Sequence, residues 1–150
     1  MFEACGLPAQ GEDFDTWIKG VPLPLEDLDR LLEFVAVTMH TRSAEIIGDA
    51  FWDLHAPRAD TSAVLSEVGI LRRDFRVRGI DYLVNFVWQM AGGRGEPPRD
   101  LVLAFALNLS AFTTRALMID FDQTPAQVGA LTADILRRLL RRAVQTQGSQ

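Results

Sequence analysis

The stretch Leu101–Ile119, LVLAFALNLSAFTTRALMI, is almost unbroken hydrophobe. A membrane-crossing helix needs roughly 20 mostly apolar residues. A segment of this length therefore has two physical homes, a bilayer or the interior of a helical bundle. It reaches spanning length only by including Asn108, Ser110, Thr113, Thr114 and Arg115. An arginine at the bilayer centre costs roughly 2.5–3.5 kcal/mol, although Arg115 lies near one end, where its head group can snorkel. The flanks decide more. GEPPRD on one side and DFDQTP on the other provide no dominant basic anchor, and a capped amphipathic helix follows within a few residues. The segment predicts a helix buried in a bundle and no membrane span.

The rest of the chain supplies the partners such a helix needs. At 150 residues, with 48% hydrophobic and 23% charged residues, it suits one domain with a sizeable core. The formal net charge of -5 argues against nucleic-acid binding by this chain alone, because phosphate binding needs a basic face. Cys5 is the sole cysteine, which excludes an internal disulfide and a cysteine-based zinc site. The N-terminus lacks the basic start and long apolar run of a signal peptide, so a cytoplasmic location is expected. Lys19 is the only lysine beside many arginines, a bias that points to a GC-rich bacterial source.

Residues 1–22 read as a loose lead-in, 23–146 as one helical domain and 147–150 as a tail. The stretch from Pro24 to about His40 puts Leu28, Leu31, Leu32, Val35 and Met39 on one face, with Glu26 and Asp27 in its first turn. A second helix is expected from about Ser43 to His55, stopped with the help of Pro57, and a short third from Asp60 or Thr61 to Gly69. ILRRDFRVRG fits either a short helix or an extended link. Asp81 is the expected cap of the next helix, which GGRGEPP terminates. The last helix has the clearest start: Thr124 as N-cap, Pro125 at the first helical position and Gln127 three residues after the cap. No strand-like alternation competes, so the chain is expected to be all-α.

A helix apolar around most of its circumference must be covered on several sides. Ala104, Ala111 and Ala116 let a neighbour approach closely. The last helix carries two adjoining apolar rows, Val128, Leu131, Ile135 and Leu139 beside Ala133, Leu136, Leu140 and Ala143. Such a pair of helices, doubled by a two-fold axis, makes an intermolecular four-helix bundle. The expected fold is thus a multi-helix bundle that forms a homodimer through its last two helices. The expected interface residues are Leu101, Ala104, Asn108 and Ala111 on the first, and Val128, Leu131, Ile135, Leu136 and Leu139 on the second.

This ending, an apolar helix, the turn DFDQTP and then AQVGALTADILRRLLRR, resembles the last two helices of the tetracycline-repressor (TetR) family of regulators. Upstream, VLSEVGILRRDFRVRGIDYLVNFVWQMAGG is similar to the part of that family's C-terminal domain that walls its ligand cavity. The resemblance covers roughly Pro24 to Val144 and rests on pattern more than motif. The family's N-terminal helix-turn-helix has no counterpart here. The resemblance implies an effector-binding and dimerisation half that reaches DNA only through another domain.

Chemistry-bearing residues are few. His40 and His55 fall near expected helix ends, where a cation suits the helix dipole, and no converging carboxylates accompany them to suggest a metal. The serines lack a nucleophile-elbow context, and GGRGEP lacks the ending of a phosphate loop. No enzyme activity, metal or cofactor is expected. Aromatic and polar residues on facing helices offer a cavity lining instead. Phe51, Trp52 and His55 come from the second helix, Asn85, Phe86 and Trp88 from the middle, and Phe105, Phe112 and Arg115 from the apolar segment. Each aromatic fits plain core packing as well. Arg115 fits a ligand carboxylate, an ion pair with Asp120 or Asp122, or a solvated position. Arg137, Arg138, Arg141 and Arg142 read as a solvated basic stripe near the C-terminus of the last helix.

Overall fold

The computed structural model of the protein describes residues 26–45 and 63–148, and among these it is all-α. Five helices follow in order: α1 Leu28–Glu45, α2 Ala63–Met90, α3 Arg99–Asn108, α4 Ala111–Asp120 and α5 Pro125–Gly148. The lead-in 1–22 and most of the expected Ser43–His55 helix, with Phe51, Trp52 and His55, lie outside the described residues.

Asp27 starts α1 by accepting from the amides of Asp29 at 2.9 Å and Arg30 at 3.1 Å, so it acts as an N-cap and not as a first-turn residue. The helix continues past His40 to Glu45, further than its apolar periodicity suggests. The expected helix–link–helix between Thr61 and Met90 is one continuous helix, α2. Gly69 and Asp81 lie inside it. A glycine costs a helix only about 1 kcal/mol, and a cap-forming residue ends nothing when the backbone on both sides remains helical. The helix does stop where expected. Gly92 and Gly95 take φ values of +86° and +66°, backbone that suits glycine.

The apolar stretch is also corrected: it forms two helices, α3 and α4, bent by 47°. Local hydrogen bonds explain the break. The Ser110 side chain accepts from the Thr113 amide at 3.1 Å, capping α4. The Thr113 hydroxyl donates to the Leu107 carbonyl at 2.7 Å, and Asn108 Nδ2 donates to the Ala104 carbonyl at 2.8 Å. Among the described residues no single helix is long and apolar enough to cross a membrane.

The capping box of α5 forms as its sequence requires. Gln127 N donates to Thr124 Oγ1 at 3.3 Å, and Thr124 N donates to Gln127 Oε1 at 2.9 Å. α5 then runs antiparallel to α1, the most extensive helix pair in the structure. Arg137 Nε reaches Asp29 at 2.6 Å near the start of α1, while Gly129 meets Val37 further along it. A Cβ on Gly129 would sit 2.6 Å from Val37 Cα, so the two backbones touch where only glycine fits. Leu31, Leu32 and Ala36 of α1, Val84, Val87 and Trp88 of α2, Phe105 of α3 and Leu136 and Leu140 of α5 close one continuous core.

Gly129→Ala is expected to lower the unfolding free energy by about 1–3 kcal/mol in urea denaturation. Gly148→Ala, at a position with open space for a Cβ, should not lower it.

Candidate functional site

His40 is fully buried and joins three helices. Its Nδ1 lies 2.7 Å from Thr114 Oγ1 on α4, and its Nε2 lies 2.9 Å from Thr132 Oγ1 on α5. The Thr114 hydroxyl donates to the Ser110 carbonyl at 3.2 Å. Thr114 Oγ1 therefore accepts from the imidazole, which assigns the proton to Nδ1 and makes Nε2 the acceptor for the Thr132 hydroxyl. Every polar atom in this chain of bonds is satisfied while the ring is neutral. Burial pulls the pKa from 6.5 down to about 4, and a hydrogen bond to the Asn108 backbone pushes back only in part. His40 is thus a neutral core residue, not the cation at a helix end that its sequence position suggested. Sequence reading sees Thr114 only as a polar interruption of the apolar stretch and misses Thr132. A small polar residue within the apolar row of α5 was the one available signal for Thr132.

Beyond this node, the residues expected to line a cavity divide between interior and surface. Trp88 and Phe105 are packed into the core. Phe86 is half-buried and stacks on Tyr82 with ring centroids 6.4 Å apart. Asn85 is exposed and donates to the Asp81 carbonyl on its own helix at 2.8 Å. Phe112 is exposed and Arg115 half-buried.

The expected interface residues divide as well. Leu101, Ala111, Val128 and Leu136 are buried within the single chain. Ala104, Asn108, Ile135 and Leu139 are half-buried. Leu131 is 47% exposed, and sequence reading overlooked two residues of α3, Leu103 at 54% and Leu107 at 66% exposed. Leu103 and Leu107, and likewise Leu131 and Ile135, stand four residues apart and so share a helix face. Three arginines of the stripe are paired with Asp29 or Asp134: Arg137, Arg138 and Arg141.

A groove of about 630 Å³ runs between the first turns of α3 and the C-terminal half of α5. Leu101 and Ala104 form one wall, Leu139 and Ala143 the other, and Trp88 contributes from α2. Gly93 packs so closely on the Trp88 indole that a Cβ would overlap the ring. The loop after Gly93 is clasped to α5. Arg94 N donates to Gln147 Oε1 at 2.9 Å, and Gln147 Nε2 donates to the Arg94 carbonyl at 2.6 Å. Among the described residues, the buried Trp88 indole N–H has no hydrogen-bond partner. Among the described residues, no three His, Cys, Asp or Glu side chains gather in a way that could hold a metal ion.

No protein-family model, curated protein or solved structure matches this chain. Its buried imidazole can set the register of α1, α4 and α5 but, being inaccessible, cannot meet a substrate without the bundle opening. The α3–α5 surface, by contrast, offers apolar contact area and a groove with a polar rim.

Between pH 6.5 and about 4 the unfolded chain binds a proton that the folded imidazole refuses. His40 should therefore make stability fall as pH drops through that window, by up to about 3 kcal/mol, and should have no effect on the slope above pH 6.5. Subtracting the pH–stability curve of His40→Gln from that of the unsubstituted protein, by chemical denaturation, should isolate this component.

Proposed function

We propose that this chain is the ligand-sensing and dimerisation domain of a TetR-like bacterial transcriptional regulator, taking a small apolar or amphipathic effector between its helices. The observation that carries the reading is the apolar surface of α3 and α5. Leu103, Leu107 and Leu131 stay exposed on the protomer, flanked by half-buried Ala104, Ile135 and Leu139. Large exposed aliphatics on α3 and α5 suit a partner that buries them, and a second copy related by a two-fold axis meets the same face with itself. The effector would act by favouring one of two packings of the bundle. The bend between α3 and α4, where the helix is already interrupted, gives the apolar pair a place to pivot. DNA contact belongs to another domain, and no catalytic step is part of the reading.

One observation favours a second reading, a stand-alone helical dimerisation protein without ligand. Trp88 and Phe105, both expected to line a cavity, are 1% and 0% exposed and fill the core.

In analytical ultracentrifugation at micromolar concentration the chain should sediment as a dimer. The double variant Leu107→Glu/Leu131→Glu should sediment as a monomer with an unchanged far-UV circular dichroism spectrum. A wild-type monomer would refute both readings. Thermal-shift screening with amphipathic small molecules separates the two. A true effector present at about 100 times its Kd should stabilise the fold by roughly 2.7 kcal/mol, whereas a ligand-free dimer should show no shift with any compound.

A further inference from the structure

The groove between α3 and α5 contains donors and acceptors that can be accounted for one by one. Both amide atoms of Gln147 are used by Arg94. The Thr146 hydroxyl donates to the Arg142 carbonyl at 3.0 Å. Asp100 Oδ1 accepts from the Leu101 amide at 2.9 Å, and its charge lies in the first turn of α3, where the helix dipole offsets it.

Asp100 Oδ2 has no hydrogen-bond partner among the described residues and is exposed to solvent; among the donors, two groups are left over. The Trp88 indole N–H, on a side chain 1% exposed, has no acceptor among the described residues. Arg142 forms no ion pair among the described residues, while Arg137, Arg138 and Arg141 each have a carboxylate. Of these two donors the indole is buried and Arg142 is exposed and cationic. A buried donor without an acceptor is costly enough that it is rare in folded proteins. The walls, Leu101, Ala104, Leu139 and Ala143, are apolar. An occupant that satisfies these two donors has acceptor oxygens, a negative charge and an apolar body.

We infer that the groove binds an amphipathic carboxylate, with its apolar body against the α3 and α5 walls, its charge matched by Arg142 and an oxygen accepting from the Trp88 indole. The indole lies under Gly93, so full engagement requires the loop held by the Arg94–Gln147 clasp to give way by a small amount. Ligand entry and release of that loop are then one event. The inference rests on the effector-binding part of the functional reading and is independent of dimerisation.

The test uses the full chain labelled with ¹⁵N and follows the indole N–H resonances of Trp17, Trp52 and Trp88, with Trp88 assigned by its loss in Trp88→Phe. Decanoate is the probe, and decanol, with the same chain and no charge, is the control. Decanoate should move the Trp88 resonance saturably, and decanol should bind about tenfold more weakly, the usual worth of one charge-assisted bond. Arg142→Gln should weaken decanoate by a similar factor and leave decanol unchanged. A Trp88 resonance that stays fixed up to about 1 mM decanoate, as it would if only a water filled the indole's bond, would overturn the inference. Equal binding of decanoate and decanol would also overturn it. Should decanoate stabilise the chain while Trp88 remains fixed, the groove assignment fails and the effector reading stands. A shift of Trp88 in a chain that sediments as a monomer supports the groove and removes the dimer.

Discussion

The close crossing of α1 and α5 is the contact on which the rest of the bundle depends. At Gly129 the two backbones approach within side-chain distance, and this proximity places His40 of α1 within hydrogen-bond reach of Thr132. Apolar packing alone tolerates sliding, because one leucine substitutes for another at little cost. A buried imidazole does not tolerate it. Losing either threonine partner leaves a polar nitrogen or hydroxyl unsatisfied in a dry core, a penalty of roughly 1–3 kcal/mol. The glycine sets the spacing and the histidine sets the register. The Asp29–Arg137 pair, exposed on the Asp29 side, adds little energy but agrees with the same alignment.

The node also explains why the apolar stretch is broken. Thr114 reaches His40 because α4 starts afresh at Ser110. The Ser110 carbonyl then takes the Thr114 proton, which orients the hydroxyl to accept from the ring. One short sequence, Asn108-Leu109-Ser110, therefore ends a helix, starts another and polarises the buried network. The Asn108 backbone joins in as well, through its hydrogen bond to His40.

How much of this was legible depended on whether the signal was local. The Thr124–Pro125–Gln127 start of α5 and the glycine-rich stop of α2 were readable because each is satisfied within a few residues. The break at Ser110 was locally encoded too, by a serine three residues before a threonine amide, but the hydrophobicity around it dominated the pattern. The unity of α2 was hidden for the opposite reason, since its glycine and aspartate look like boundaries and cost too little to make one. The role of His40 was illegible: its partners lie 74 and 92 residues away. The same holds for Trp88, an aromatic whose burial is ordinary and whose unmatched N–H becomes visible only when every neighbour is counted.

The surface of α3 and α5 has two ends with different chemistry. Toward Leu107 and Leu131 it is apolar and exposed. Toward Trp88 and Arg142 it is a groove with an exposed cation and an indole N–H that has no partner among the described residues. Leu101, Ala104 and Leu139 belong to both, as groove walls and as residues expected at the dimer contact. In the proposed regulator, a ligand in the groove and a second copy on the face would therefore press on the same side chains. Each would change the other's affinity by the same factor, because coupling between two binding equilibria is reciprocal. The sign follows from what the ligand does to the walls. If it orders Leu139 and the first turn of α3 in the arrangement a second copy needs, dimerisation tightens. If it spreads α3 from α5, the apolar face loses its shape and dimerisation weakens. Because Thr114 holds α4 to His40 and Arg76 holds the second half of α3 through the Ala106 carbonyl, such a signal would act on the first turns of α3 and leave the buried node intact.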